Sequence, residues 1–158
     1  MEVVKPVKRN VLLNPGPATT SDAVKYAQVV PDICPREQEF VDIMTRVRED
    51  LVKVVHGVPD TYTAVIFTGS GTIMQDVLVN SLVPEDKKIC VVNNGAYAAR
   101  MVEIAGYYNI ACVDLKFPST GLPDLEVVRK ALEKDPDIAM VAAVHHETGT
   151  GVLNPIKE

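Results

Sequence analysis

No apolar run in this chain approaches the length needed to cross a bilayer. Its first residues, MEVVKPVKRNVLL, lack a long apolar core and a small-residue cleavage site, so they do not read as a secretory signal. Positive charge is in short supply: 16 Lys and Arg stand against 21 Asp and Glu, for a net charge of −5. That deficit argues against a surface for nucleic acid or anionic membrane, since both need a basic face. It leaves room for a small anionic ligand, which a local patch of amides can hold. Cysteine is scarce too. Cys34, Cys90 and Cys112 are far apart and odd in number. They read as reduced, mostly buried thiols of a cytoplasmic protein, and no pair has the spacing of zinc ligands. Repeats and low-complexity segments are missing as well.

What remains is globular. The 158 residues are 47% hydrophobic and 23% charged, enough for one ordinary domain with a real core. Residues 1–18 read as an amino-terminal arm, because Asn14-Pro15-Gly16-Pro17 forbids helix and forces an extended, turned backbone. Thr20-Ser21-Asp22 offers capping side chains for a short helix to about Val29. From Arg36 to about His56, the residues Phe40, Ile43, Met44, Val47, Leu51 and Val54 recur at helical spacing, and Gly57 and Pro59 end the helix. Strand then alternates with helix. Strands are expected near 62–68, 87–92, 110–115 and 138–144, and helices near 71–82, 95–107 and 123–134. The strands are continuous apolar runs, as in a sheet covered on both faces. The fold class is therefore α/β: a doubly wound, mostly parallel sheet with flanking helices. Val152 to Glu158 looks like the lead into another helix, so the chain reads as part of a larger domain.

Three of the expected strands end in small or polar turns. Ligands of an open α/β sheet sit outside the carboxyl ends of its strands. Gly69-Ser70-Gly71-Thr72 places two glycines at a strand-to-helix turn. The N–H groups of residues 70–73 would point out of the helix start, where the helix dipole adds positive charge. Ser70, Gly71 and Thr72 thus form a phosphate cradle without a lysine. It is not a P-loop, because Gly-Lys-Thr is missing. The plainer alternative is a βα turn capped by Thr72. Tyr97 lies just inside the next helix, beside Asn93, Asn94 and Gly95, where its face can stack on a planar ring; otherwise it packs between helices. His145 and His146 are successive strand residues and point to opposite faces, so they do not share a metal ion. Contact with a ligand falls instead to the Thr148 hydroxyl or the Glu147 carboxylate. Asn14 to Pro17 exposes amides that suit an acidic group, or else simply crosses the surface. Arg36 and Arg100 read as surface or salt-bridge residues, and Lys116 as a solvated lysine.

In order, the segments LLNPGPATTSDAV (12–24), DICPREQEF (32–40), GSGTIMQDVL (69–78), NNGAYAARMVEIAG (93–106) and HHETGTGVLNPI (145–156) resemble the class V, fold type I, pyridoxal-phosphate aminotransferases. The likeness is strongest to the 2-aminoethylphosphonate–pyruvate branch of that family. It spans nearly the whole chain, and the pair NGAYAARMVE with ETGTGVLNP carries its specificity. The resemblance implies residues 19–158 as the amino-terminal part of the cofactor-binding large domain. It implies Ser70, Gly71 and Thr72 at the cofactor phosphate, Tyr97 on the pyridine ring, and Thr148 at the ring's phenolic oxygen. Pro15, Gly16 and Pro17 would belong to the arm that meets substrate. Gly149 stands where the family motif commonly has a hydroxyl residue. The Schiff-base lysine, the aspartate beneath the pyridine nitrogen and the substrate-gripping arginine lie downstream of the ETGTG segment in the family. On this comparison the chain holds no catalytic residue of its own and is inactive alone. The implied partners are an amino donor and a 2-oxo acid, in a homodimer of the full-length protein. Alternatives are the alanine–glyoxylate and serine–pyruvate relatives, a non-catalytic subunit completing a site with a partner chain, and a generic phosphate-binding α/β domain.

Overall fold

The computed structural model describes residues 8–158, and they fall into two units, up to Phe67 and from Thr68 onward. The expected arm of residues 1–18 therefore lies partly outside the described residues.

In the first unit, α1 (Asp22–Tyr26) is capped by Ser21, whose hydroxyl accepts from the Val24 amide. It ends three residues short of Val29. Ahead of it, the segment around Pro15, Gly16 and Pro17 is exposed, with a cis bond between Gly16 and Pro17. Thr19 ties this segment down, accepting from the Leu12 amide at 2.9 Å and donating to the Asn10 carbonyl at 3.2 Å. The helix α2 (Gln38–Val54) matches the periodic stretch. Its buried residue is Val52, however, while Val47, Leu51 and Val54 are exposed. Val52 is covered because the chain folds back on it after the helix. A Cβ at Gly57 would lie 2.8 Å from Val52 Cγ1, so that glycine is there for space. The left-handed turn falls on His56, at φ 60°.

Residues 62–67 form no strand. Their apolar side chains Tyr62, Val65, Ile66 and Phe67 are exposed. The segment has no ladder partner among the described residues, and a strand exists only by pairing. Arg48 of α2 anchors it instead, donating to the Ala64 carbonyl at 2.9 Å and the Thr63 hydroxyl at 2.8 Å.

In the second unit α3 (Gly71–Leu82) leads into β1 (Lys88–Asn93), α4 (Ala96–Tyr107), β2 (Ala111–Lys116), α5 (Leu125–Lys134) and β3 (Ile138–Ala143). The sheet is parallel, in the order β2-β1-β3. β1 takes the centre because it is apolar on both faces; Ile89, Cys90, Val91 and Val92 are all buried. Ile89 and Val91 pack with Val79 of α3, Ala98, Met101, Ile104 and Ala105 of α4, and Ala142 of β3. The opposite face, carrying Val92, Val141 and Ala143, meets α5 across a groove of about 380 Å³. β1 thus sits where one connection leaves towards β2 and the next returns across to β3, which is where such sheets open a crevice. Beyond β3, a short hairpin pairs β4 (His146–Glu147) with β5 (Val152–Leu153). No helix among the described residues is long and apolar enough to cross a membrane.

Candidate functional site at the carboxyl edge of the sheet

The start of α3 is capped by Ser70, not by Thr72. Ser70 has an extended backbone, and its hydroxyl accepts from the Thr72 amide at 3.4 Å. The Ile73 amide donates to the Ser70 carbonyl at 3.0 Å. Two of the four amides expected to point outward are therefore engaged within the turn. The space above Gly71 is open, and nothing lies within 4 Å of where a Cβ would stand. The turn faces outward, as a ligand site requires, but its backbone donors are fewer than the sequence implies.

Tyr97 lies in the first turn of α4 and is 40% exposed. Two side chains bind it to α3. Gln75 donates to the Tyr97 carbonyl at 2.9 Å. Arg100, one helical turn further on, donates to the Thr72 hydroxyl at 3.0 Å and sets its guanidinium carbon 5.5 Å from the centre of the Tyr97 ring. At the far end of the same helix pair, Tyr108 donates to Asp76 at 3.2 Å, and that carboxylate holds the phenol pKa above its ordinary value. Thr72 and Tyr97, 25 residues apart, are thus brought into one cluster (97 − 72). Arg100, read from sequence as a surface or salt-bridge residue, joins them. Its i,i+3 spacing from Tyr97 is the one local signal of this role.

Thr148 stands at the turn of the β4–β5 hairpin and is half-buried. The residue before it fixes the hairpin in place. Glu147 is fully buried, and a Cβ on Gly95 would fall 2.2 Å from its Cδ. Gly95 is the N-cap of α4, two residues before Tyr97, so the hairpin is pressed against the start of that helix. Neither Glu147 carboxyl oxygen has a hydrogen-bond partner among the described residues.

A second tie was not foreseen. Asn94 and Asn154 are buried and bond to each other reciprocally, at 2.9 and 3.1 Å. Asn94 also donates to the Gly121 carbonyl, and Asn154 to the Val144 carbonyl at 2.7 Å. The pair clamps the end of β1 to the end of β3 and the hairpin. At the adjacent edge, Asn93 donates to Asp114 at 2.8 Å, and the Phe117 amide to the Asn93 carbonyl at 2.8 Å. Lys116 lies 3.7 Å from Asp114 and is solvated, as expected.

Not every titratable group of the sheet is reactive. The Cys112 thiol is pushed up to about 11 by burial, then by Asp114 and Cys90. Burial also raises Cys90. Both thiols stay protonated at neutral pH and are poor nucleophiles. Pro15, Gly16 and Pro17 belong to the first unit, so the start of α3, Tyr97 and the hairpin are the parts of the predicted site that one unit brings together.

The family model for class-V aminotransferases matches residues 21–158. The chain is 41% identical, over 94% of its length, to a 2-aminoethylphosphonate–pyruvate transaminase of Syntrophobacter fumaroxidans, and covers 39% of that protein. It is 43% identical, over 93% of its length, to one of Vibrio vulnificus, covering 40% of it. The chain thus spans about two fifths of the length of the curated relatives it matches. Among solved structures, the alanine–glyoxylate aminotransferase of Nostoc sp. superposes with a TM-score of 0.80 at 29% identity, over 98% of this chain and 40% of that one. Nearly all of the sequence and all of the parallel sheet are accounted for by these matches, and the chain belongs to the class-V aminotransferase family.

Proposed function

We propose that the full-length protein transfers the amino group of 2-aminoethylphosphonate to pyruvate, giving phosphonoacetaldehyde and L-alanine. The observation that carries this reading is identity near 40% to transaminases of that name, sustained over almost the whole chain. Class-V membership implies pyridoxal phosphate as the cofactor.

The residues present fit such a group. An open glycine at a helix start, two hydroxyls and a cationic guanidinium suit a phosphate dianion. A partly exposed tyrosine one helix away suits a planar ring. Ser70, Gly71 and Thr72 would hold the phosphate, Tyr97 the ring face and Thr148 the ring's phenolic oxygen. When bound, the cofactor supplies an electron sink beside the amino group to be moved. This chain's share of the work is to bind and orient. The clamp between Asn94 and Asn154 and the buried Glu147 hold the start of α4 and the β4–β5 turn together, so that the ring's face and its oxygen would be met together. Pro15, Gly16 and Pro17 are assigned to substrate contact on family likeness. We read the full-length protein as a cytoplasmic homodimer on the same ground.

The test is direct. Full-length enzyme with 2-aminoethylphosphonate and pyruvate should release alanine. Failure with this donor, but brisk turnover of alanine with glyoxylate, would assign the chain to its alanine–glyoxylate relatives instead, a reading the Nostoc structure supports. A reading frame that stops at Glu158, with activity appearing only on adding a second polypeptide, would favour a non-catalytic subunit.

A further inference from the structure

We propose that Arg100 is a positioning residue of the phosphate site, acting through the Thr72 hydroxyl. This rests on the assignment of the α3 start to the cofactor phosphate. Four observations lead to it. The Thr72 and Ile73 amides are already engaged by Ser70, so the backbone alone offers a reduced set of donors to a dianion. Arg100 Nη1 donates to Thr72 Oγ1 at 3.0 Å. The guanidinium lies over the Tyr97 ring. Among the described residues, no carboxylate pairs with Arg100.

A hydroxyl has one hydrogen to give and two lone pairs. With Arg100 donating into one lone pair, the Thr72 hydrogen is left to point at an acceptor. A donor polarised by a neighbouring cation also binds an anion more strongly than an isolated hydroxyl. Arg100 therefore does two things at once. It sets the direction of the Thr72 proton, and it brings positive charge to a turn that has no lysine. Its contact with the Tyr97 ring holds the guanidinium in place beside Thr72. A lysine keeps the charge but not the planar fork that reaches a hydroxyl and covers a ring together.

The experiment measures binding, not turnover. Apo full-length protein is titrated with pyridoxal 5′-phosphate and, separately, with pyridoxal, following the absorbance of the bound ring. Arg100→Gln is expected to weaken the phosphorylated ligand about tenfold or more, as for loss of a charged hydrogen bond. Pyridoxal affinity should stay within about twofold. Arg100→Lys should recover part of the loss. Thr72→Val should weaken the phosphorylated ligand too, and the double variant should be no worse than the weaker single variant, because the two residues act in series. Equal weakening of pyridoxal by Arg100→Gln would show a merely structural arginine and overturn the proposal. So would additive losses in the double variant, or an unchanged affinity for the phosphorylated ligand. If Arg100→Gln does not fold, Arg100→Lys and Thr72→Val decide on the same criteria. Wild-type protein that binds no pyridoxal 5′-phosphate would instead bring down the functional assignment on which the proposal rests.

Discussion

Gly95 shows how a single residue is chosen by space rather than by conformation. Its φ of −176° is extended backbone that any residue adopts, so no left-handed turn demands glycine here. What demands it is Glu147, whose Cδ would lie 2.2 Å from an added Cβ. The contacted atoms belong to a fully buried side chain, which has no free direction in which to swing. Gly95→Ala should therefore displace the hairpin or α4 and destabilise by about 1–3 kcal/mol, as overpacking does. Urea unfolding with an unchanged m-value measures it. Gly71→Ala is the control: its Cβ enters open space, so stability should move by no more than about 0.5 kcal/mol. If the two variants were equally stable, Glu147 would not be pinning the hairpin. From sequence, Gly95 reads only as part of the polar turn beside Tyr97. Its real neighbour is 52 positions away in the chain (147 − 95), and nothing local points to it. Arg100 was hidden for the same reason: reach across to another helix is not a local property.

At the scale of elements, the sheet is tied to α5 by paired charges. Lys88 opens β1 and meets Asp135, the C-cap of α5, at 2.7 Å, and Lys87 meets Asp137 at 2.7 Å. The hydrogen bond from Lys88 holds the Asp135 carboxyl below the usual carboxylate range, and the Asp137 amide adds to this. The Asp135 hydrogen bond raises Lys88 in turn. The depressed carboxylate contributes stability above the ordinary aspartate value, near pH 4, and loses it as pH falls through its lowered folded value. The raised lysine contributes below about pH 10.5 and loses it as pH climbs through its raised value. Lys88→Met should therefore lower the urea midpoint at neutral pH, with the gap to wild type closing in acid. Both side chains are partly exposed, so salt should shrink the gap as well. A gap that is constant from pH 2 to pH 8 would mean that packing, not charge, sets it. The elements themselves were largely legible. β1 declares itself by a continuous apolar run, and α3, α4 and α5 begin at capping residues or glycines the sequence displays. The stretch 62–67 misled because apolar content records a preference for burial, whereas strand formation depends on a partner that the stretch does not encode.

On the scale of the whole molecule, burial is uneven. Of the buried apolar side chains, Val52 alone belongs to the described residues before Thr68, while ten belong to the second unit. Stability should follow that division, because amides open most readily where few apolar contacts hold them. Native-state hydrogen exchange on this chain should find its slowest amides in β1 and α4. The amides of residues 63–67 should exchange close to the rate of an unstructured peptide, since no ladder covers them. The Tyr62 amide, bonded to the Val58 carbonyl at 2.9 Å, should be slower than those that follow it. The curated relatives extend well beyond the length this chain covers. The exposed apolar row of Val65, Ile66 and Phe67 has the composition of a strand wanting a neighbour, which a chain of the relatives' full length would have room to supply. Its amides should slow by orders of magnitude there. Protection already present in the 158-residue chain would instead mean that this segment pairs with a second copy, and that the chain self-associates through an edge the isolated molecule leaves bare.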